Sequence, residues 1–441
     1  MKLKILTLAV ELFFILFILS TAENMKVIYK YVPISNLEYN SYISSEPIKR
    51  EFFGMHILDV NAQYHNLGYG SLRLWDTHTT WKDLETNKGT YNWTQLDNYV
   101  DFAESHNLEL VYTLGQAPNW ATPPNICITT DYNPYPPRNN QDWVDYITAV
   151  VNRYKGKINY YEVWNEPNDG QKIFWNGTMS RLAELTEIAY DTIHALDPNA
   201  KVLSPSFHQW DNALQKWQAF LDAGGINHFD ILSIHLYVYP KQPEEMIKIV
   251  KMFSEEIIKR GMIVPVWNTE TGYGSYYLNG ILKNPDDTTN NDIMPDNLAS
   301  AYIARIYLSN LLAGVDKCFY YTIESKWNRL RLVNPQDKNQ VFVAGKAMKR
   351  LSDWLDGAYI KNISTENGVY IIIYEKNNEL KSIIWTTDGR SIIYKISSQL
   401  KAITTENLLG FKSYCINGKI IVGNSPILVN SDIRNYGGSI K

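Results

Sequence analysis

Ile158-Asn159-Tyr160-Tyr161-Glu162-Val163-Trp164-Asn165-Glu166-Pro167-Asn168 is the stretch from which the fold is read. It is a short, nearly continuous apolar and aromatic run that ends at a turn-forming Glu-Pro pair. The amphipathic helical pattern Asp142–Tyr154 precedes it, and Leu182–Leu196 follows it. A strand without polar alternation, set between two such helices, is the mark of a βα unit in a parallel sheet.

Moving outward, the same alternation recurs. Strand-like runs lie near Phe52–His56, Ser71–Trp75, Leu108–Gly115, Ile158–Asn165, Lys201–Pro205, Phe229–His235, Ile263–Thr269 and Lys317–Thr322. Helical patterns separate them, among them Asp97–Asn107 and an Ala/Ile/Leu-rich run to Leu312 for which Asp296 is the expected cap. Eight βα units over residues 46–355 predict a (β/α)8, or TIM, barrel with long loops. After Trp354 the pattern changes to Val369–Tyr374, Ile383–Trp385 and Ile392–Tyr394, with Asp388-Gly389 and Asn417-Gly418 as hairpin-turn pairs. Residues 356–441 are therefore expected to form a small, sandwich-like all-β domain, and segment 25–45 is a further strand candidate.

The chain of 441 residues carries 42 Lys+Arg against 46 Asp+Glu, a net charge of −4. That balance argues against a protein that neutralises nucleic-acid phosphates and against an acidic disordered chain. Aromatic residues make up 13%. Both core packing and a surface that stacks on sugar rings would account for them. Cys127, Cys318 and Cys415 allow at most one disulfide, and no CxxC pair is present. The start Met1-Lys2-Leu3-Lys4, an apolar run from Ile5 interrupted by Glu11, and Ser20-Thr21-Ala22 read as a signal peptide over residues 1–22, or as an uncleaved anchor. Sequons at Asn92, Asn176 and Asn362 are compatible with export. A secreted or cell-surface protein is expected, with membrane contact only if the leader is retained.

Two strands end in glutamates. The fourth closes on Glu166, and the seventh reads Val264-Pro265-Val266-Trp267-Asn268-Thr269-Glu270-Thr271-Gly272-Tyr273. In a barrel of this kind chemistry sits at the C-terminal strand ends, so both carboxyls should project into its mouth. Two carboxyls on separate strands suit glycoside hydrolysis: one is protonated to release the leaving oxygen, the other ionised to attack the anomeric carbon. A gap of about 5–5.5 Å would mean retention through a covalent intermediate; a larger one, inversion. No metal-ligand cluster or phosphate-binding glycine loop is read, so no cofactor is expected.

Here the chain resembles the clan A glycoside hydrolases, most closely family 39 and its exopolysaccharide endoglycosidase-like branch. Trp164-Asn165-Glu166-Pro167 is similar to the clan's strand-four signature, and Trp267-Asn268-Thr269-Glu270-Thr271-Gly272 to the strand-seven motif. Tyr91-Asn92-Trp93, Thr113-Leu114-Gly115 with Pro118-Asn119-Trp120, and Asp197-Pro198-Asn199-Ala200 also resemble this group. The resemblance, over residues 50–355, implies Glu166 as acid/base and Glu270 as nucleophile. It also implies Asn165 on the sugar 2-hydroxyl, and His235 and Tyr237 at the nucleophile and substrate. Arg73 falls near the nucleophile, with pairing to Glu162 as the alternative. Trp75, Trp120, Trp164, Trp267 and Trp327 are candidate sugar platforms. Strand eight lacks the clan's Trp, leaving Tyr321 or Trp327 to take its place, and Glu324 is a rival carboxylate.

An oligo- or polysaccharide substrate and endo action follow from the resemblance. A transglycosylase, or a carbohydrate-binding protein on a hydrolase scaffold, are the alternatives.

Overall fold

The computed structural model describes residues 45–61, 63–124, 131–210, 212–274, 277–278, 281–282, 293–324, 328–387, 389, 391–395, 402–416 and 418–431. The leader, Cys127 and Trp327 lie outside the described residues, as does most of segment 25–45. Two compact units are present, Ile48–Gly357 and one that holds the described part of Ala358–Lys441.

The first unit is a parallel barrel. Its strands are β1 (Phe53–Met55), β2 (Ser71–Leu74), β3 (Glu109–Leu114), β4 (Tyr160–Val163), β5 (Lys201–Leu203), β6 (Phe207–His208), β7 (Leu232–Leu236), β8 (Val266–Thr271) and β9 (Val315–Tyr320). Their order is β5-β4-β3-β2-β1-β9-β8-β7-β6. The ring closes where Ser204 N–H donates to Ile231 O at 2.9 Å and Leu203 bridges Ile231 in parallel. All eight expected strands are present. The fifth is split: Pro205 has no N–H to give to the ladder, so β5 stops and the chain resumes as β6. Inside the barrel β1 passes very close to β9, and a Cβ at Gly54 would lie 2.4 Å from the Phe319 ring. Only glycine fits there.

The helices outside the barrel follow the apolar periodicity. They include α1 (Trp81–Leu84), α2 (Thr94–His106), α3 (Asn140–Tyr154), α4 (Met179–Leu196), α5 (Ala213–Asp222), α6 (Glu245–Lys259), α7 (Asp296–Leu312) and α8 (Val343–Leu355). Helix α7 is buried on nearly every face from Ala299 to Leu311, which explains its lack of a polar stripe. Asp296 is its first helical residue and not its cap, which is Pro295. The carboxylate still sits favourably against the N-terminal end of the helix dipole.

The second unit is all-β. Strands β10 (Tyr359–Glu366), β11 (Val369–Lys376), β12 (Glu379–Thr386), β14 (Ala402–Asn407), β15 (Lys412–Tyr414) and β17 (Ile427–Ser431) form one antiparallel sheet; β13 (Ile392–Lys395) pairs with β16 (Lys419–Val422) in a second. Ile384, Ile392, Ile420, Val422 and Val429 form a buried cluster shared by both sheets. Asp388-Gly389 was expected to close a hairpin; it lies between β12 and β13, which belong to different sheets, and Asp388 is outside the described residues. The tight hairpins use Asn367-Gly368 and Asn377-Asn378, all four with positive φ, as a right-twisted two-residue turn requires.

Candidate active site

Strands β4 and β8 deliver the two glutamates to one place. Beyond β4 the backbone leaves strand geometry: Trp164 and Glu166 have φ of 68° and 42°. Glu166 N–H donates to Ser206 O at 3.0 Å, which fixes this turn against the link between β5 and β6. Such left-handed conformations at non-glycine residues are retained where surrounding structure enforces them.

The pair is close. Single ligand atoms of Glu166, His235 and Glu270 all lie within 4.8 Å of one another. Glu270 accepts from Arg73 Nη1 at 3.0 Å and from the Tyr237 hydroxyl at 2.6 Å. His235 Nδ1 lies 2.9 Å from Glu166 Oε1. This trio is also a set that a metal ion can use, but the Arg73 guanidinium already places a fixed cation on Glu270.

Arg73 organises the floor of the site. Its Nε donates to Glu162 at 2.7 Å and its Nη2 to Asn165 Oδ1 at 2.7 Å. The two readings of Arg73 are therefore both realised: it pairs with Glu162 and also reaches the nucleophile candidate. Glu162 is fully buried and further held by Thr113 at 3.1 Å and Ser233 at 2.6 Å. Oδ1 of Asn165 is thereby fixed by Arg73.

The two carboxyls sit in different fields. Burial, and then the charge of Glu270, hold Glu166 well above the usual carboxylate range. Burial also pushes Glu270 up, to about 7, but Arg73 and the Tyr237 hydrogen bond pull it down. Two carboxylates this close do not both ionise readily, and the one without cationic and hydroxyl donors keeps the proton. Of the two, Glu166 holds its proton more firmly and Glu270 ionises more readily. Burial and Arg73 hold His235 well below its usual value, so it is neutral.

The remaining candidates separate. Trp75 lies near-parallel to Tyr132, 6.1 Å between centroids, at the rim of a recess beside Arg73. Trp120 instead packs on α1: it donates to Glu85 O at 2.8 Å and meets Trp81 edge-on. Trp164 is buried under the following loop and donates to Phe174 O.

Trp267 is a correction. It is 4% exposed in the barrel floor with Val111, Leu203, Ile231 and Phe319, and stacks at a tilt on Tyr160. Three strand residues, about 10 Å of rise, separate it from Glu270. Glu324 is turned to Thr322 and the Leu58 amide, away from the pair. Tyr321 does reach the site, donating to Asp76 at 2.7 Å.

Sequence reasoning passed over Asp76, Gln116, Tyr132 and Trp210. Asp76 directly follows Trp75 at a strand end, a usable signal. Trp210 follows the unrecognised β6; it is 43% exposed and stacks on Tyr237 at 5.6 Å.

Comparison with known proteins agrees with this geometry. Residues 75–222 match the model of glycosyl hydrolase family 10. Endo-1,4-beta-xylanase 3 of Hypocrea jecorina is 31% identical over 133 residues, 28% of this chain and 34% of the xylanase. The chain thus spans about a third of the length of the curated relatives it matches. A family 39 glycoside hydrolase from Bacteroides cellulosilyticus WH2 superposes with a TM-score of 0.64 at 18% identity, covering 88% of this chain and 82% of that one. A family 39 beta-xylosidase from Caulobacter crescentus gives 0.61 at 14% identity, covering 89% and 98%. At these identities the superpositions speak for the fold. With the family match over residues 75–222, they make the barrel unit similar to the glycoside hydrolases of families 10 and 39.

Proposed function

We propose that the protein is a retaining O-glycoside hydrolase, nearest to family 39 within the clan, with Glu166 as acid/base and Glu270 as nucleophile. The observation that carries this reading is the carboxyl pair within 4.8 Å, one member kept protonated and the other paired with Arg73 and Tyr237. A pair this close suits the direct attack of a retaining enzyme better than the wider pair of an inverting one.

In the first step the Glu270 carboxylate bonds to the anomeric carbon. The C–O bond to the leaving sugar breaks, and Glu166 gives its proton to that oxygen. In the second, Glu166 takes a proton from water, whose oxygen displaces Glu270 from the same carbon. Asn165, fixed by Arg73, binds the 2-hydroxyl, a contact that tightens as the oxocarbenium-like transition state forms.

A polysaccharide cleaved internally is the substrate class we favour. An exposed aromatic surface, Trp210 stacked on Tyr237, stands beyond β6 and β7, and Tyr132 packs over the buried Trp75 beyond β2. The named activities of the relatives, endoxylanase and beta-xylosidase, point to plant-type β-linked glycans. We take the chain as exported on the strength of its N-terminal pattern; retention inside producing cells would refute that. The deciding test is NMR of the first-formed anomer from an aryl β-glycoside or β-xylan digest. Retained configuration is expected, and an inverted first product overturns the mechanism.

A further inference from the structure

Strand β6 is only two residues long, yet both halves of the site hang from it. It pairs with β7 through Phe207 opposite Ile234 and His208 opposite His235, and there its ladder stops. Two side-chain amides extend the pairing, one on each side.

Toward β4, the Asn168 amide takes the place of a strand. Its Nδ2 donates to His208 O at 2.8 Å, and its Oδ1 accepts from His208 N–H at 3.1 Å. Asn168 is fully buried and lies two residues beyond Glu166, whose own N–H is held by Ser206 O. Toward β7, the Gln209 amide does the same. Its Nε2 donates to Tyr237 O at 2.6 Å, and its Oε1 accepts from Tyr237 N–H at 3.1 Å. Tyr237 lies one residue past the end of β7, so the bridge supplies partners for its main chain just beyond the strand.

The position of the Tyr237 main chain sets the aim of its hydroxyl, which donates to Glu270 at 2.6 Å. Such a bond weakens steeply as the donor tilts or withdraws, and a site group must be held to about 0.5 Å. Asn168, meanwhile, ties the turn that carries Glu166 to the same short strand.

We propose that β6 is a spacer that sets the acid and the nucleophile in one frame, and that Gln209 is a positioning residue acting on Glu270 through Tyr237. The other titratable groups around Glu270 are Arg73 and Asp76 from β2 and its loop, Glu162 and Glu166 from β4 and its turn, His235 from β7, and Tyr132 and Tyr321. The inference deepens the hydrolase reading and rests on it.

The test uses two variants at this half-buried position. Gln209→Met keeps the length and loses both amide groups; Gln209→Asn keeps the groups but is one methylene short. Both leave every titratable group around Glu270 in place. The readouts are the pH dependence of kcat/KM on an aryl β-glycoside and NMR titration of the isotope-labelled Glu270 carboxyl, its signal identified by its loss in Glu270→Gln. Both variants should raise the Glu270 titration and the acid limb by about 0.5–1 pH unit, lowering kcat/KM on that limb roughly three- to tenfold. The alkaline limb should stay, because Asn168 still holds the Glu166 turn. In a Tyr237→Phe background, Gln209→Met should add no further shift, since the hydroxyl it aims is gone. An unmoved acid limb, an equal shift with and without the hydroxyl, or a loss uniform with pH overturns the proposal. If wild type hydrolyses no glycoside, the NMR titration decides: an unshifted Glu270 overturns the proposal, and a shifted one upholds it and overturns only the hydrolytic reading.

Discussion

The Tyr237 hydroxyl donates to Oε1 of Glu270 at 2.6 Å, while Arg73 holds the other oxygen. A carboxylate held in this way has both oxygens stabilised as an anion inside a buried site, where its partner Glu166 lacks the same support. The difference between two identical side chains is thus a difference in what surrounds them.

Tyr237→Phe should expose that difference. Loss of a hydrogen bond to the charged form raises the Glu270 pKa, so a higher pH is needed to ionise it. The acid limb of kcat/KM should move to higher pH, and activity at neutral pH should fall about ten- to hundredfold. An unmoved acid limb would show that the hydroxyl does not support the anion.

Wild-type kcat/KM should be bell-shaped with pH. Activity needs Glu270 ionised and Glu166 protonated, so it is lost as pH falls through the Glu270 value and again as pH rises through that of Glu166. Burial places the first near 7 and the second well above the ordinary carboxylate range. The optimum should therefore lie at neutral to alkaline pH; a maximum near pH 4–5 would contradict the assignment.

Glu166→Gln and Glu270→Gln should differ in kind. Without its acid, the first should lose about 10²–10⁴-fold on poor leaving groups but much less on 2,4-dinitrophenyl glycosides, which need no protonation. The second should lose activity on both. Equal losses by Glu166→Gln across leaving groups would remove it from the acid role.

Arg73→Met should cost stability as well as turnover. It leaves Glu162, fully buried, without its cation, and breaking such a pair costs about 3–5 kcal/mol. Denaturant unfolding measures this, and a loss under 1 kcal/mol would show that the pair does not support the fold.

In the all-β unit, Asn377-Asn378 turns between β11 and β12 with φ of 55° and 60°. Asn378→Val should destabilise that hairpin by about 1–2 kcal/mol, whereas Asn378→Gly should be tolerated. Hydrogen exchange at the β11 and β12 amides reports both.

The barrel was readable because each of its strands is a short apolar run bounded by a helical pattern, a local property of the chain. The same locality made Glu166 and Glu270 visible, since each ends such a run before a turn. Trp267 looked equally promising beside Glu270, yet it lies in the floor. Distance along a strand is distance along the barrel axis, and three residues suffice to leave the mouth.

Asp76, Gln116 and Trp210 were hidden for the opposite reason. They stand on loops after β2, β3 and β6, and their neighbours come from elsewhere: Tyr321 for Asp76, Asn133 for Gln116, Tyr237 for Trp210. The amino-acid order by itself determined which strands form and which carboxyls cap them, because periodicity and turn chemistry act over a few residues. Only the closed barrel decided which carboxyl holds its proton more firmly. That property depends on burial and on groups distant in the chain, such as Arg73 and Glu270, 197 residues apart.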